Sequence, residues 1–207
     1  MGHPSANGLL TDHIGRRSEQ KQFWSTIKLH RWAWPLSAWR QHVEKELKTV
    51  KVGLALVLAG LMFGVAMGIF FGVNEEAYQI YIAQEIAANP DVHDAKSPDK
   101  IWRYAQRAHF HSTGIAAFAL GLIILVMFST LKTNYKKASA ILLGLSSFYS
   151  FSWYNMFLLA PSIGRGPAHA HILTEFFAYT GVGGLLLGAF FLCANIFLGL
   201  FKEETKA

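Results

Sequence analysis

Two short stretches, RAHFHSTG at residues 107–114 and PAHAHILTE at residues 167–175, both contain Ala-His-x-His. They place His109, His111, His169 and His171 at the mouths of two long apolar runs. Imidazole is a ligand for haem iron and for copper. On a regular helix, positions two apart point about 200° away from each other, so each pair offers one histidine to a common centre. One inward histidine from each run, at matched depth, would give bis-imidazole ligation of a b-type haem held between helices. Four histidines gathered by distorted helix ends would instead hold copper. The remaining pair would meet a haem propionate, a quinol or a partner. Against these stands the plain alternative of amphipathic residues at a membrane interface with no cofactor.

Glu175 is the one acidic residue inside the apolar runs, and an ionisable group at such a depth is a functional candidate by default. It follows His171 by four positions, which on a helix puts a carboxylate one turn from an imidazole, with Thr174 beside them. Such a carboxylate would orient the ring as a ligand or carry protons itself; a hydrated structural His–Glu pair is the alternative. The stretch SSFYSFSWYNMF adds Tyr149, Trp153 and Asn155 at the same depth, together with four serines. Tyrosine and tryptophan alone would be an interfacial belt; the serines and Asn155 point to a lined cavity or to hydrogen-bond partners of the histidines.

These groups are positioned by membrane helices. Of 207 residues 52% are hydrophobic and 15% charged, and the apolar residues are gathered into runs, the composition of a membrane protein. Four runs are near the twenty residues a span requires: about 51–73, 109–131, 138–160 and 171–200. The expected fold is all-α, an integral membrane four-helix bundle over 51–200 with an N-terminal interfacial segment. The formal charge of +6 lies beside the spans, where lipid head groups account for it and nucleic acid is not indicated. Cys193 is the single cysteine, which excludes an internal disulfide and thiolate clusters.

The basic residues before the first span, Lys132, Lys136 and Lys137 between the second and third, and the acidic 74–108 connection all agree with cytoplasmic N- and C-termini. Spans two and four then enter from the outer side, with both histidine pairs near the outer face of what is expected to be a bacterial inner membrane. The first apolar run is too long and too late for a cleaved signal peptide. Residues 1–20 read as a flexible tail, 21–50 as a basic, Trp-rich segment lying in the head-group region or docked on a partner, and 201–207 as a cytoplasmic tail. The 74–108 connection should carry helix over EEAYQIYIAQEIAA, turns over NPDVHDAKSPD, and helix again from KIWRYAQRA into span two, and could cap the site. Gly60, Gly64, Gly68 and Gly72 recur every four residues on span one, a stripe for close helix packing or for the edge of a porphyrin.

RAHFHSTGIAAFALG and PAHAHILTEFFAYTG resemble the histidine-bearing helices of small membrane proteins allied to the haem–copper oxidase catalytic subunit, where a histidine near the outer helix end holds haem. The four-span plan, the RAH opening span two and the S-x-x-R-G element at Ser162, Arg165 and Gly166 resemble styrene oxide isomerase, a four-helix membrane enzyme that uses b-type haem as a Lewis acid. That resemblance implies His109 as the haem ligand. The paired histidines, the long basic N-terminus and the long 74–108 connection are departures from it. If histidine filled both axial positions, no site would remain for an epoxide. The leading expectation is therefore a haem-b membrane protein in electron transfer, or an accessory subunit of a respiratory or oxidoreductase complex, assembled with other membrane subunits or with itself. The alternatives are a haem-dependent isomerase of small lipophilic epoxides working over Tyr149, Trp153 and Asn155, a copper-binding subunit, and a structural subunit without cofactor.

Overall fold

A computed structural model describes residues 36–203. The expected tail at 1–20, the first half of the interfacial segment at 21–50 and the end of the 201–207 tail lie outside the described residues. The chain divides into two compact units, 1–44 and 45–207. The described residues are helical throughout, with α1 over Leu36–Ala88, a 3-10 turn at Pro90–Val92, α2 over Ser97–Phe128, α3 over Thr133–Leu145, α4 over Phe148–Ile163, α5 over Arg165–His169 and α6 over Ile172–Leu198. A single isolated bridge, Leu131 to Lys202, is the only extended pairing among them.

Three of these helices, α1, α2 and α6, are long and apolar enough to cross a membrane. Their exposed residues include Met62, Ile69, Phe70, Phe118, Leu125, Phe190 and Phe197, an apolar coat suited to lipid. The expected third span, 138–160, is divided between α3 and α4 at Ser146 and Ser147. There Ser146 N–H bonds to Leu143 O at 3.2 Å and Ser147 N–H to Gly144 O at 3.3 Å, a tightened 3-10 register. The serine hydroxyls turn to their own backbone, with Ser146 Oγ donating to Leu143 O at 2.6 Å and Ser150 Oγ to Ser147 O at 2.7 Å. Serine offers the chain that local alternative to the helical ladder. The first helix does not stop near residue 73 but turns at Asn74, whose φ of −133° and ψ of 31° are non-helical, and continues to Ala88.

Contact between helices rests on glycine. A Cβ on Gly60 would lie 2.5 Å from Ser147 Cβ, and on Gly64 2.7 Å from Thr113 Cγ2, while Gly53 faces the Ala140 carbonyl. On the opposite side Gly181 faces the Tyr149 backbone, Gly184 the Leu142 carbonyl at 2.5 Å and Gly188 the Leu143 side chain at 2.7 Å. The divided α3–α4 segment thus has a glycine face of α1 on one side and a glycine face of α6 on the other. Ser112 Oγ donates to Gly60 O at 2.6 Å and Ser139 Oγ to Gly188 O at 2.8 Å, interhelical bonds that only such close backbones allow.

At the end away from the histidines, Lys136 is 7% exposed and donates to Glu46 Oε2 at 2.7 Å and to Met127 O at 3.0 Å. Lys132 N–H bonds to Phe201 O at 2.8 Å, so the α2–α3 turn and the residues after α6 share one end of the bundle.

Replacing Gly53 or Gly188 by leucine should lower the thermal transition of detergent-purified protein, at a cost of about 1–3 kcal/mol or more from overpacking. Gly121 and Gly183 have nothing within 4 Å of a built Cβ, so Gly121→Ala or Gly183→Ala should leave the transition in place or raise it by about 0.5–1 kcal/mol through helix propensity. Equal losses at all four positions would contradict this packing.

Candidate functional site

The four motif histidines separate into different environments. His109 and Ser112 lie three apart on α2 and both face α1, whereas His111 lies on the far side, against α4. The imidazole of His109 occupies the groove left by two glycines of α1. Its Nδ1 is 2.8 Å from Gly64 O, and a Cβ on Gly68 would sit 2.8 Å from His109 Cε1. A carbonyl oxygen can only accept, so Nδ1 carries the proton and the lone pair is left on Nε2. Nε2 has no hydrogen-bond partner among the described residues. Phe71 meets the ring edge-on at a centroid distance of 5.8 Å, and Phe110 lies at 5.3 Å. This is the arrangement by which a backbone carbonyl orients a ligating histidine.

His111 stacks on Trp153 at 5.8 Å, with 23° between the planes, and meets Tyr149 edge-on at 5.0 Å. Arg107, one turn earlier, lies over the same indole at 4.7 Å, a cation–π contact. His169 is the last residue of α5 and is exposed. His171 immediately precedes α6 and caps it, its Nδ1 accepting from Leu173 N–H at 3.3 Å. That bond uses the Nδ1 lone pair and puts the proton of the neutral ring on Nε2. Among the described residues, no group of three or more His, Cys, Asp or Glu side chains is placed to hold a metal ion.

Both motif copies nevertheless converge on the aromatic face of α4. A cavity of about 250 Å³ lies between α4 and α6, with Tyr149, Ser152, Trp153 and Met156 from the former and Thr174, Glu175, Ala178 and Tyr179 from the latter; His169 completes it. Its wall is built by a relay in which Asn155 Nδ2 donates to Thr174 Oγ1 at 2.8 Å and Thr174 Oγ1 donates to Ala168 O at 2.8 Å. Asn155 and Thr174 therefore tie α4 to the start of α6. The histidine that shares the cavity with Glu175 is His169, while His171, the expected partner, is turned onto the helix backbone. Tyr179, four residues after Glu175, could have been found from helical spacing; Met156 and Ser152 carry no such signal.

The 74–108 connection closes over the end of α4 with a set of polar contacts that the sequence does not announce. Tyr81 OH donates to Leu158 O at 2.9 Å, Ser162 Oγ to Glu85 Oε2 at 3.2 Å, and Arg165 to Asp94 Oδ2 at 2.9 Å. His93 Nε2 donates to Pro161 O at 2.7 Å. Gly164 has φ of 84°, and a Cβ added there would lie 3.3 Å from Val92. The serine and arginine of the S-x-x-R-G element thus both hold this connection in place. Ser97 Oγ donates to Asp94 at 2.9 Å, and that bond, with Arg165 and the Lys96 N–H behind it, holds the Asp94 carboxyl below its ordinary range.

No family model matches the chain, and no match is found among curated proteins or solved structures. The fold defines the class: an all-helical protein with three helices able to cross a bilayer.

Because folding lowers the Asp94 pKa, its contribution is present at neutral pH and is lost as pH falls through the folded value. Asp94→Asn and Arg165→Ala should each increase hydrogen exchange and proteolytic cleavage over residues 89–96 at neutral pH, as should acidification of the wild type below the ordinary carboxylate range. A segment equally protected in both variants would show that the ion pair does not hold it. The effect should be local, because the Asp94 side chain is exposed to solvent.

Proposed function

We propose that this is an integral membrane protein with four spans, α3 and α4 together forming the third, and with both termini cytoplasmic. It carries one b-type haem near the outer face, with His109 as the ligand this chain provides. The observation that carries the reading is the His109 Nδ1–H bond to Gly64 O, which fixes the tautomer and leaves Nε2 free. Gly68 supports it by giving the ring room where any Cβ would collide. Bound at His109, the iron would supply a Lewis-acidic or redox-active centre.

The chain's own residues set how that centre would be used. His111 is engaged by Trp153 and Tyr149, His171 by its cap, and His169 belongs to the α4–α6 cavity. With His109 as the one histidine of this chain that would hold the group, the centre would serve a small lipophilic substrate, as the likeness to styrene oxide isomerase implies, in preference to electron transfer. Phe71 and Phe110 border the His109 ring with apolar surface.

Protein purified in detergent should show a Soret band, with the iron and spectrum of a high-spin ferric b-type haem that shifts on adding an epoxide. His109→Ala should lose most of the haem, whereas His171→Ala should keep it, since the His171 imidazole caps α6 and would not hold the group. A low-spin spectrum indifferent to epoxide would favour electron transfer with a second ligand from a partner subunit. Bound copper without haem would favour the copper-binding alternative. Neither iron, copper nor a Soret band would leave a structural subunit.

A further inference from the structure

The cavity between α4 and α6 has no part in the His109 site, and its chemistry points to a different occupant. Its one acid, Glu175, has no hydrogen bond or ion pair to its carboxylate among the described residues, although His169 borders the same space. Of the other polar groups nearby, Thr174 donates to Ala168 O and accepts from Asn155, and Ser152 Oγ donates to Tyr149 O at 2.7 Å, while the Trp153 Nε1–H is buried without a partner. What remains is an unpaired carboxylate bordered by the rings of Tyr149, Trp153 and Tyr179 and the Met156 thioether. A carboxylate on a membrane-spanning helix requires a counter-charge or a proton. Aromatic faces and polarizable sulfur favour a cation that also has an apolar body.

We infer that this cavity is a binding site for a small organic ammonium ion, its charge against Glu175 and its apolar part against Tyr149, Trp153 and Tyr179. The volume of about 250 Å³ is below that of sites for drug-sized ligands, which limits the occupant to about one ring with a short charged arm. The exposed Tyr179 stands at the rim, where it would cover the bound cation. Arg107 lies over the Trp153 ring and leaves that part of the aromatic surface to one cation already, so the ligand is expected at the α6 side.

The test uses the full chain in lipid nanodiscs, with benzylammonium as probe and benzyl alcohol as its uncharged counterpart, by equilibrium dialysis. Benzylammonium should bind saturably at one site per chain and benzyl alcohol at least about tenfold more weakly. Glu175→Gln should weaken benzylammonium by about tenfold or more, as expected on removing one member of a charge pair. Tyr179→Leu, at an exposed position that folding does not need, should weaken it about two- to fivefold, the scale of an exposed cation–π contact. Absence of saturable binding, equal affinity for the two probes, or unchanged affinity in Glu175→Gln would overturn the proposal. If Glu175→Gln does not fold, wild-type selectivity between the two probes and the Tyr179→Leu value decide it. None of these readings involves haem, so their failure is separate from that of the His109 assignment.

Discussion

The structure depends on the close approach of helix backbones across glycine. In lipid, apolar side chains gain little by leaving one hydrocarbon environment for another, so helices are held by packing and by hydrogen bonds that short distances permit. Gly53, Gly60 and Gly64 on α1 and Gly181, Gly184 and Gly188 on α6 remove the Cβ atoms that would otherwise keep these helices off the α3–α4 segment and α2. The serine-to-carbonyl bonds at Gly60 and Gly188 follow from that approach. The break at Ser146 and Ser147 lies where the α3–α4 segment passes between the two glycine faces, and there Ser146 and Ser150 donate to their own backbone.

The same constraint produces the His109 environment. Continuing up α1, Gly64 still faces the α2 helix, and one turn on Gly68 receives the His109 imidazole. One carbonyl orients the ring and one missing side chain makes room for it. A glycine stripe and a histidine motif that look independent in the sequence are two sides of one contact. His111, two residues on, is carried to the other side of α2 and becomes part of the aromatic packing of α4.

Around this core the polar residues divide into two kinds. Those of the 74–108 connection and of Ser162 and Arg165 pair with each other and fix the cover over α4. Asn155 and Thr174 do the same for the start of α6. Glu175 is different, because its carboxylate faces a cavity instead of a partner among the described residues.

Composition and apolar run length determined the all-helical, membrane-suited character, because bilayer thickness sets the length of any crossing helix. The start of α6, the helical and turn segments of the 74–108 connection and the glycine stripe on α1 were legible for the same reason: each is written in local spacing. So were the opposite directions of His109 and His111, which follow from helix geometry, whereas His169 and His171 fall on either side of a helix break. What the pairs face was decided only in three dimensions. The partner of His109 is a carbonyl 45 residues away, and Trp153 meets His111 through the packing of α4 on α2. The exchange of His171 for His169 as the neighbour of Glu175 arises because the chain leaves α5 and caps α6 between them. Backbone carbonyls carry no sequence signature, and a cap turns a side chain away from the face that helical spacing assigns to it.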